Sequence, residues 1–413
     1  MIALSLLSFL LGWLTSLYLA QALGAEGFDD YAVAVAALAV MSTAAEAGTG
    51  KFGLREWPAL RARGDWAGAR AFPRFATLLV LTLSLLLAAL AASSEGLEDH
   101  VFADYALGPG ALFLPAIALA GLWTELGTAM GAPLAAAFVV RVLIPGLGLA
   151  LVVFGQHVFS TFDASRAVEL HGASWVVGAL CLAFLLRARR PAELREVVST
   201  PALGLWVRGS LGYLAVALTA TLLAKVGLLA LEYADIAEEE VAVMAVAFET
   251  GGFVYVLSKS TDKLFVPQIS AELSRGELGE VRRLLRRRDR LIGGASLLFL
   301  ASMIVFGRPL LGLFGPTFVH GYFALVVVTA ASVALTLASL SGWVLSMTRS
   351  VYTPMLWQGL TVFLIAIATV IAAPRWGLDG ALAAYALPMG ALAMVSRWAA
   401  AHDLRGRALA RAA

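Results

Sequence analysis

The sequence predicts an all-α integral membrane protein of about twelve transmembrane helices, arranged as two six-helix lobes around a central cavity. Three observations carry this expectation. Of 413 residues, 60% are hydrophobic and only 14% charged, with a mean hydropathy of +0.85, whereas soluble domains carry about 25% charged residues. Twelve apolar runs follow one another, most close to the ~20 residues that a hydrocarbon core requires. The basic residues between the runs fall almost entirely on alternate connections, as the positive-inside rule demands of an even number of crossings.

The runs lie at 2–22, 31–50, 75–92, 105–131, 134–154, 168–186, 207–231, 241–257, 291–306, 322–347, 355–373 and 380–398. They are continuous rather than alternating, so helices fit them and barrel strands do not. Ala20-Gln21-Ala22 resembles a signal-peptide cleavage site. The first run nevertheless lacks a basic leader and is long enough to span, so it reads as a helix that stays. It begins almost inside the hydrocarbon, which leaves room for a few residues upstream. Pro109, Pro115, Pro145 and Pro388 lie inside runs and predict kinks.

With a cytoplasmic N-terminus, the connections after even-numbered runs and the tail hold 25 of the 30 Lys and Arg residues, counting Arg208 and Arg397 at the cytoplasmic edges of their runs, and those after odd-numbered runs hold Arg166, Arg308 and Arg375. Arg141 and Lys225 lie inside runs. Both termini are therefore expected in the cytoplasm. The opposite connections are acidic, as in Glu232, Asp235 and Glu238 to Glu240.

A weak internal repeat supports two lobes. Each half opens with a span, an acidic turn, an Ala/Val-rich span and a basic segment, at 51–74 and 259–290. Later, the stretch from Gly121 to Pro133 resembles that from Gly342 to Pro354, each with a Trp near its start. Two parallel repeats of six spans form a transporter-type architecture. The expected divisions are residues 1–190, a basic cytoplasmic linker at 191–206, and 207–413 with a short cytoplasmic tail.

Charges within spans are costly and are functional suspects. Five stand out: Glu46, Glu125, Arg141, Lys225 and Glu249. Counting ~1.5 Å per residue, Glu125 and Arg141 lie ~10–14 Å from one face. Lys225 and Glu249 lie at a similar depth from the other, so each acid could meet its base across adjacent antiparallel helices. Two readings stand open. The pairs could pin helices, or Arg141 and Lys225 could bind an anion in a cavity, with Glu46, Glu125 and Glu249 as coupling or charge-balancing groups. Glu46, near its run's end, could also reach toward headgroups.

Arg282, Arg283, Arg286, Arg287, Arg288 and Arg290 flank Leu278, Val281, Leu284 and Leu285 at helical spacing. This predicts an amphipathic helix lying on the inner leaflet and drawn to anionic membrane lipids; a second reading is that the patch also gathers an anionic lipid-linked substrate at its entry side. Enzyme signatures are absent. His100, His157, His171, His320 and His402 read as loop or span-end residues without zinc-ligand spacing. Cys181 stands alone. No phosphate loop or nucleophile elbow occurs, so no catalytic residues, metal or cofactor are expected. A net charge of +2 gives no sign of nucleic acid.

Five stretches carry a family resemblance. Ala22-Leu-Gly-Ala-Glu-Gly-Phe-Asp-Asp-Tyr31 resembles the "LG-x-E-x-F/Y-G-x-Y" turn of polysaccharide flippases. Ala45-Glu46-Ala47-Gly48, followed by Arg55, is similar to their "A-E-L-G" and later Arg. Residues 266–278, 310–322 and 376–383 resemble three further family stretches in order. Together these resemble the Wzx-like O-antigen and polysaccharide flippases of the multidrug/oligosaccharidyl-lipid/polysaccharide exporter superfamily. The resemblance implies a bacterial inner-membrane protein that moves an undecaprenyl-diphosphate-linked oligosaccharide between leaflets by alternating access, for lipopolysaccharide and other surface glycans. It implies H+ or Na+ as coupling ion, and a polysaccharide polymerase or glycosyltransferases as neighbours. An Asp often found in the family's seventh span has no counterpart here, with Lys225 nearby instead, and Asp29 stands where a Gly is expected. A small-molecule or multidrug exporter of the same superfamily and a membrane enzyme of glycan assembly are the competing readings.

Overall fold

In the computed structural model, residues 2–94, 107–191, 193, 202–234 and 236–412 are described. The expected linker at 191–206 lies largely outside them. The described chain is helical throughout, as expected of an all-α membrane protein.

Among the described residues, the apolar runs lie mainly in helices. α1 (Ile2–Ala45) holds the first two runs and is broken at Gly24, whose φ of 76° and ψ of −173° leave the helical region. α14 (Tyr352–Ala412) holds the last two and is broken likewise at Gly377. Both glycines belong to stretches that carry the family resemblance. Between them run α2 (Thr49–Ala62), α3 (Trp66–Ser94), the short α4 (Leu107–Ala111), α5 (Leu114–Ala129) and α6 (Pro133–Phe138). There follow a π-helical turn (Val139–Leu143), α7 (Ile144–Val158), α8 (Ala164–Ala188), α9 (Leu203–Tyr233) and α10 (Glu238–Gly251). α11 (Phe253–Arg275), α12 (Leu278–Phe314), a 3-10 turn (Thr317–Gly321) and α13 (Tyr322–Thr348) complete the chain before α14. Among the described residues, eight helical stretches are long and apolar enough to cross a membrane. Two of these, at the two broken helices, contain two apolar runs each.

The prolines act unequally. Pro145 follows the π-turn, and Pro115 stands in the first turn of α5 after a break at Phe113. The expected kink at Pro388 is not where α14 leaves helical geometry, which is Gly377. A proline removes one hydrogen bond but keeps φ near the helical value.

The chain forms two compact units. The first is Leu10–Lys225, and the second is Val226–Ala413 with Leu4–Phe9, so the boundary falls inside α9. The first is centred on Phe52, Trp57 and Leu60 of α2, Phe72 and Val80 of α3, Leu122 and Leu126 of α5, and Trp206 of α9. Buried Trp57 donates to the Ala69 carbonyl at 3.1 Å. In the second, Ile269, Val281, Leu340, Val344 and Leu404 form a core. Large apolar side chains outside these cores are exposed, among them Leu90, Leu298 and Leu387, which is the expected outer surface of a protein dissolved in lipid.

The basic segments of both halves end alike. α2 closes at Gly64 (φ 73°) and α11 at Gly276 (φ 80°). The next residue's N–H, of Asp65 and of Glu277, reaches back to the carbonyls of Leu60 and Glu272 at 3.0 and 2.9 Å. This six-to-one bond is the Schellman ending of a helix, and α5 closes in the same way at Gly131.

Candidate functional site

The richest charged site of the first unit begins where α1 ends. Ala47 and Gly48 have φ values of 48° and 71°, which breaks the helix. The N–H and hydroxyl of Thr49 both donate to the Glu46 carbonyl, at 2.9 and 2.7 Å. At Gly48 a Cβ would stand 2.3 Å from the Ser210 carbonyl oxygen and the Leu214 nitrogen of α9. The joint is thus pressed against another helix's backbone, and only glycine fits it.

This joint aims the Glu46 side chain at α5. Its carboxylate occupies the space a Cβ on Gly121 would need. One turn further along α5, Glu125 forms an ion pair with Lys51 of α2. A Cβ on Gly50 would lie 3.3 Å from Glu125 Cγ and 3.6 Å from Glu46 Oε2. Glu46, Lys51 and Glu125 are therefore one cluster of two carboxylates and one ammonium. It is open to solvent on the lysine's side, since the Lys51 side chain is 55% exposed and that of Glu125 21%.

The sequence left open that Glu125 could meet Arg141; the ion pair on its carboxylate is with Lys51. Gly50 lets α2 approach α5 closely, and a lysine stem on that face reaches the carboxylate first. Glu46 turns toward α5 rather than toward headgroups.

Arg141 sits within the π-turn Val139–Leu143. Pro145 lies four residues on, has no N–H for the Arg141 carbonyl and would clash with it in a regular helix. The chain responds by widening the turn, and the Ile144 N–H bonds the Val139 carbonyl instead. Such π-turns are frequent at functional sites. Arg141 is half-buried there.

Lys225 of α9 is also half-buried and lies within electrostatic reach of His171. His171 was expected at a span end, yet it stands seven residues inside α8. Its Nε2 accepts from the Trp175 indole N–H at 3.0 Å, and its Nδ1 is 3.2 Å from the Tyr31 hydroxyl. Because an indole N–H can only donate, Nε2 carries no proton, and the neutral ring holds its proton on Nδ1, facing Tyr31. Lys225 closes the first compact unit.

Glu249 belongs to the second unit, on α10, two residues before Gly251. A Cβ there would lie 2.9 Å from the Thr329 hydroxyl of α13. Glu46-Ala-Gly48 and Glu249-Thr-Gly251 share the tripeptide pattern carboxylate-x-glycine at a helix end, but only the first has left-handed backbone; α10 passes into α11 through Gly252 at φ −68° and ψ −13°.

The second unit also contains a charged group that spacing misplaced. Arg288 was expected on the exposed basic face of an amphipathic helix, but it is 0% exposed. Its Nη1 donates to the Thr336 carbonyl at 2.6 Å. Its Nη2 donates to Asp262 Oδ1 at 2.9 Å and to the Ser339 hydroxyl at 2.6 Å. Nor does the apolar face lie in the leaflet. Leu278, Val281, Leu284 and Leu285 pack on Leu340, Val344, Ala400 and Leu404, and the segment continues unbroken into the apolar part of α12. A signal existed, because positions 281, 285, 288 and 292 recur at steps of three and four, which places Arg288 on the buried stripe.

No family model matches the chain, and no curated protein matches it in sequence. Solved structures do match over nearly its whole length. An inward-facing multidrug resistance MATE family transporter of the MOP superfamily gives a TM-score of 0.72 at 15% identity, over 98% of this chain and 95% of the other. The outward-facing form of such a transporter gives 0.70 at 15% identity, over 98% and 94%. The bent form of VcmN, a MATE transporter of Vibrio cholerae, gives 0.60 at 16% identity, over 98% of both chains. Together with the apolar helices, these likenesses give the chain the fold of the MATE transporters of the MOP superfamily, in a multi-pass membrane protein.

Proposed function

We propose that the protein is an alternating-access transporter that flips a lipid-diphosphate-linked oligosaccharide from the cytoplasmic to the outer leaflet of a bacterial inner membrane. The fold supports transport, since its relatives in structure are known in inward- and outward-facing forms. The observation that carries the substrate class is a pair of cations, Arg141 at a π-turn and Lys225 on α9, both half-buried inside apolar helices of one unit. A diphosphate crossing ~30 Å of hydrocarbon needs partial replacement of its water shell, and guanidinium and ammonium groups supply it. The polyprenyl tail stays in lipid throughout. Glu46 and Glu125 in the same unit, and Glu249 in the other, are the coupling or charge-balancing groups of the transport cycle. The Glu46–Lys51–Glu125 cluster, with two carboxylates for one lysine, is suited to taking up H+ or Na+ as the coupling ion. A polysaccharide polymerase and glycosyltransferases are the partners that such a substrate requires.

A multidrug exporter is the second reading, favoured by the relatives described as multidrug resistance transporters. One experiment separates the two. Removing the protein from its host should strand lipid-linked oligosaccharide on the cytoplasmic leaflet without changing the accumulation of cationic dyes. Restoring Arg141→Ala or Lys225→Ala forms at normal abundance should leave the lipid stranded by at least tenfold over wild type. Dye accumulation without stranded lipid would establish the exporter instead.

A further inference from the structure

α12 carries one unbroken exposed stripe. In steps of three or four residues, Arg283, Arg287 and Arg290 lead through positions 294, 298, 301 and 305 to Arg308, every one of them exposed. No charged residue lies between Arg290 and Arg308. Those eighteen residues rise ~27 Å, close to the ~30 Å thickness of a hydrocarbon core. At the far end the Arg308 guanidinium lies 5.0 Å over the Tyr322 ring, an arrangement typical of the membrane–water boundary. The stripe is thus the helix's lipid-facing side, and its three arginines stand at the level of headgroups.

The helix is not free to turn this face elsewhere. Its opposite side is buried through Val281, Arg288 and Ile292, and Arg282 donates to the Leu404 carbonyl at 2.9 Å. Nor is the stripe neutralised from within. Asp289 is engaged by Arg397 at 3.2 Å, while Glu280 meets Arg283 at 3.3 Å in an exposed pair of low strength. We infer that Arg287 and Arg290, supported by Arg283, form a site for the phosphate headgroup of an anionic phospholipid of the surrounding bilayer. Two guanidinium forks one turn apart offer paired donors to phosphate oxygens. The three arginines lie on the outward face of a single helix at headgroup level, where bulk phospholipid is the constant neighbour, so the occupant is a membrane phospholipid. The inference rests on the membrane fold alone and stands whichever substrate is carried.

Delipidated full-length protein should be titrated with phosphatidylglycerol and with phosphatidylcholine, and retained lipid counted by native mass spectrometry. Phosphatidylglycerol should be retained at least tenfold better by the wild type. The R287Q/R290Q form should lose that preference, R287K/R290K should keep it, and R61Q/R63Q, altered in the other unit, should match the wild type. The site is refuted if the wild type shows no preference or if the R287Q/R290Q form retains it. It is equally refuted if the lysine form binds no better than the glutamine form, or if R61Q/R63Q loses as much.

Discussion

Among the carboxylate–cation clusters in or beside the basic segments, two, one in each compact unit, are built in opposite ways. In the second unit, Asp262 and Arg288 are buried, and the guanidinium bonds a carboxylate, two hydroxyls and a carbonyl drawn from α11 and α13. In the first, Glu46, Lys51 and Glu125 share one ammonium between two carboxylates, with the lysine side chain more than half exposed. A buried guanidinium held by four acceptors on two helices holds those helices together. The difference sets a buried pair against an open, charge-unbalanced cluster, each in or beside the basic segment of its unit.

The largest effect should come from breaking the buried pair. Arg288→Met leaves Asp262 buried without its cation, a change that typically costs about 3 to 5 kcal/mol. Membrane-fraction abundance and the thermal midpoint in detergent should both drop, and Asp262→Leu added to Arg288→Met should recover most of the loss. A single variant as stable as wild type would remove the contrast between the units.

Lys51→Met should do the reverse. An exposed pair contributes roughly 0 to 1 kcal/mol, so abundance should hold while transport falls about tenfold, because Glu46 and Glu125 lose the charge they share. The readout is stranded lipid-linked oligosaccharide at matched protein level. Unchanged transport would make this cluster as structural as the other. The smallest effect is expected at Arg349, which binds Asp403 with two bonds of 2.7 and 2.6 Å at a site 41% exposed on the arginine side. Arg349→Gln should change stability by under about 1 kcal/mol and leave transport at wild-type level, giving the baseline for the other two.

Much of this was legible in the sequence, for reasons that differ residue by residue. Apolar runs report helices because lipid allows a backbone few alternatives, and Gly24 broke α1 within the stretch that reads as a turn. The positions of Glu46 and Glu125 were legible as charges in apolar surroundings. Their shared partner was not. Lys51 reads as an ordinary end-of-span lysine, and only the close approach of α2 to α5 brings it to Glu125. His171 looked peripheral because α8 begins earlier than its apolar run, at Ala164. Arg288 was hidden among five other arginines of the same segment. Its spacing announced burial, but the expectation that charge means exposure overrode the period.

The widened turn at Arg141 has a mechanical consequence. A π-turn contains one residue more than an α-turn needs, and each residue of a helix accounts for about 100° of rotation and 1.5 Å of rise. Were that surplus residue absorbed into regular helix, everything beyond it on α7 would rotate by about a quarter-turn relative to α6, and Arg141 would address a different neighbour. Pro145 opposes this, because it cannot supply the missing N–H. The proline therefore fixes the register of the helix and with it the arginine's heading.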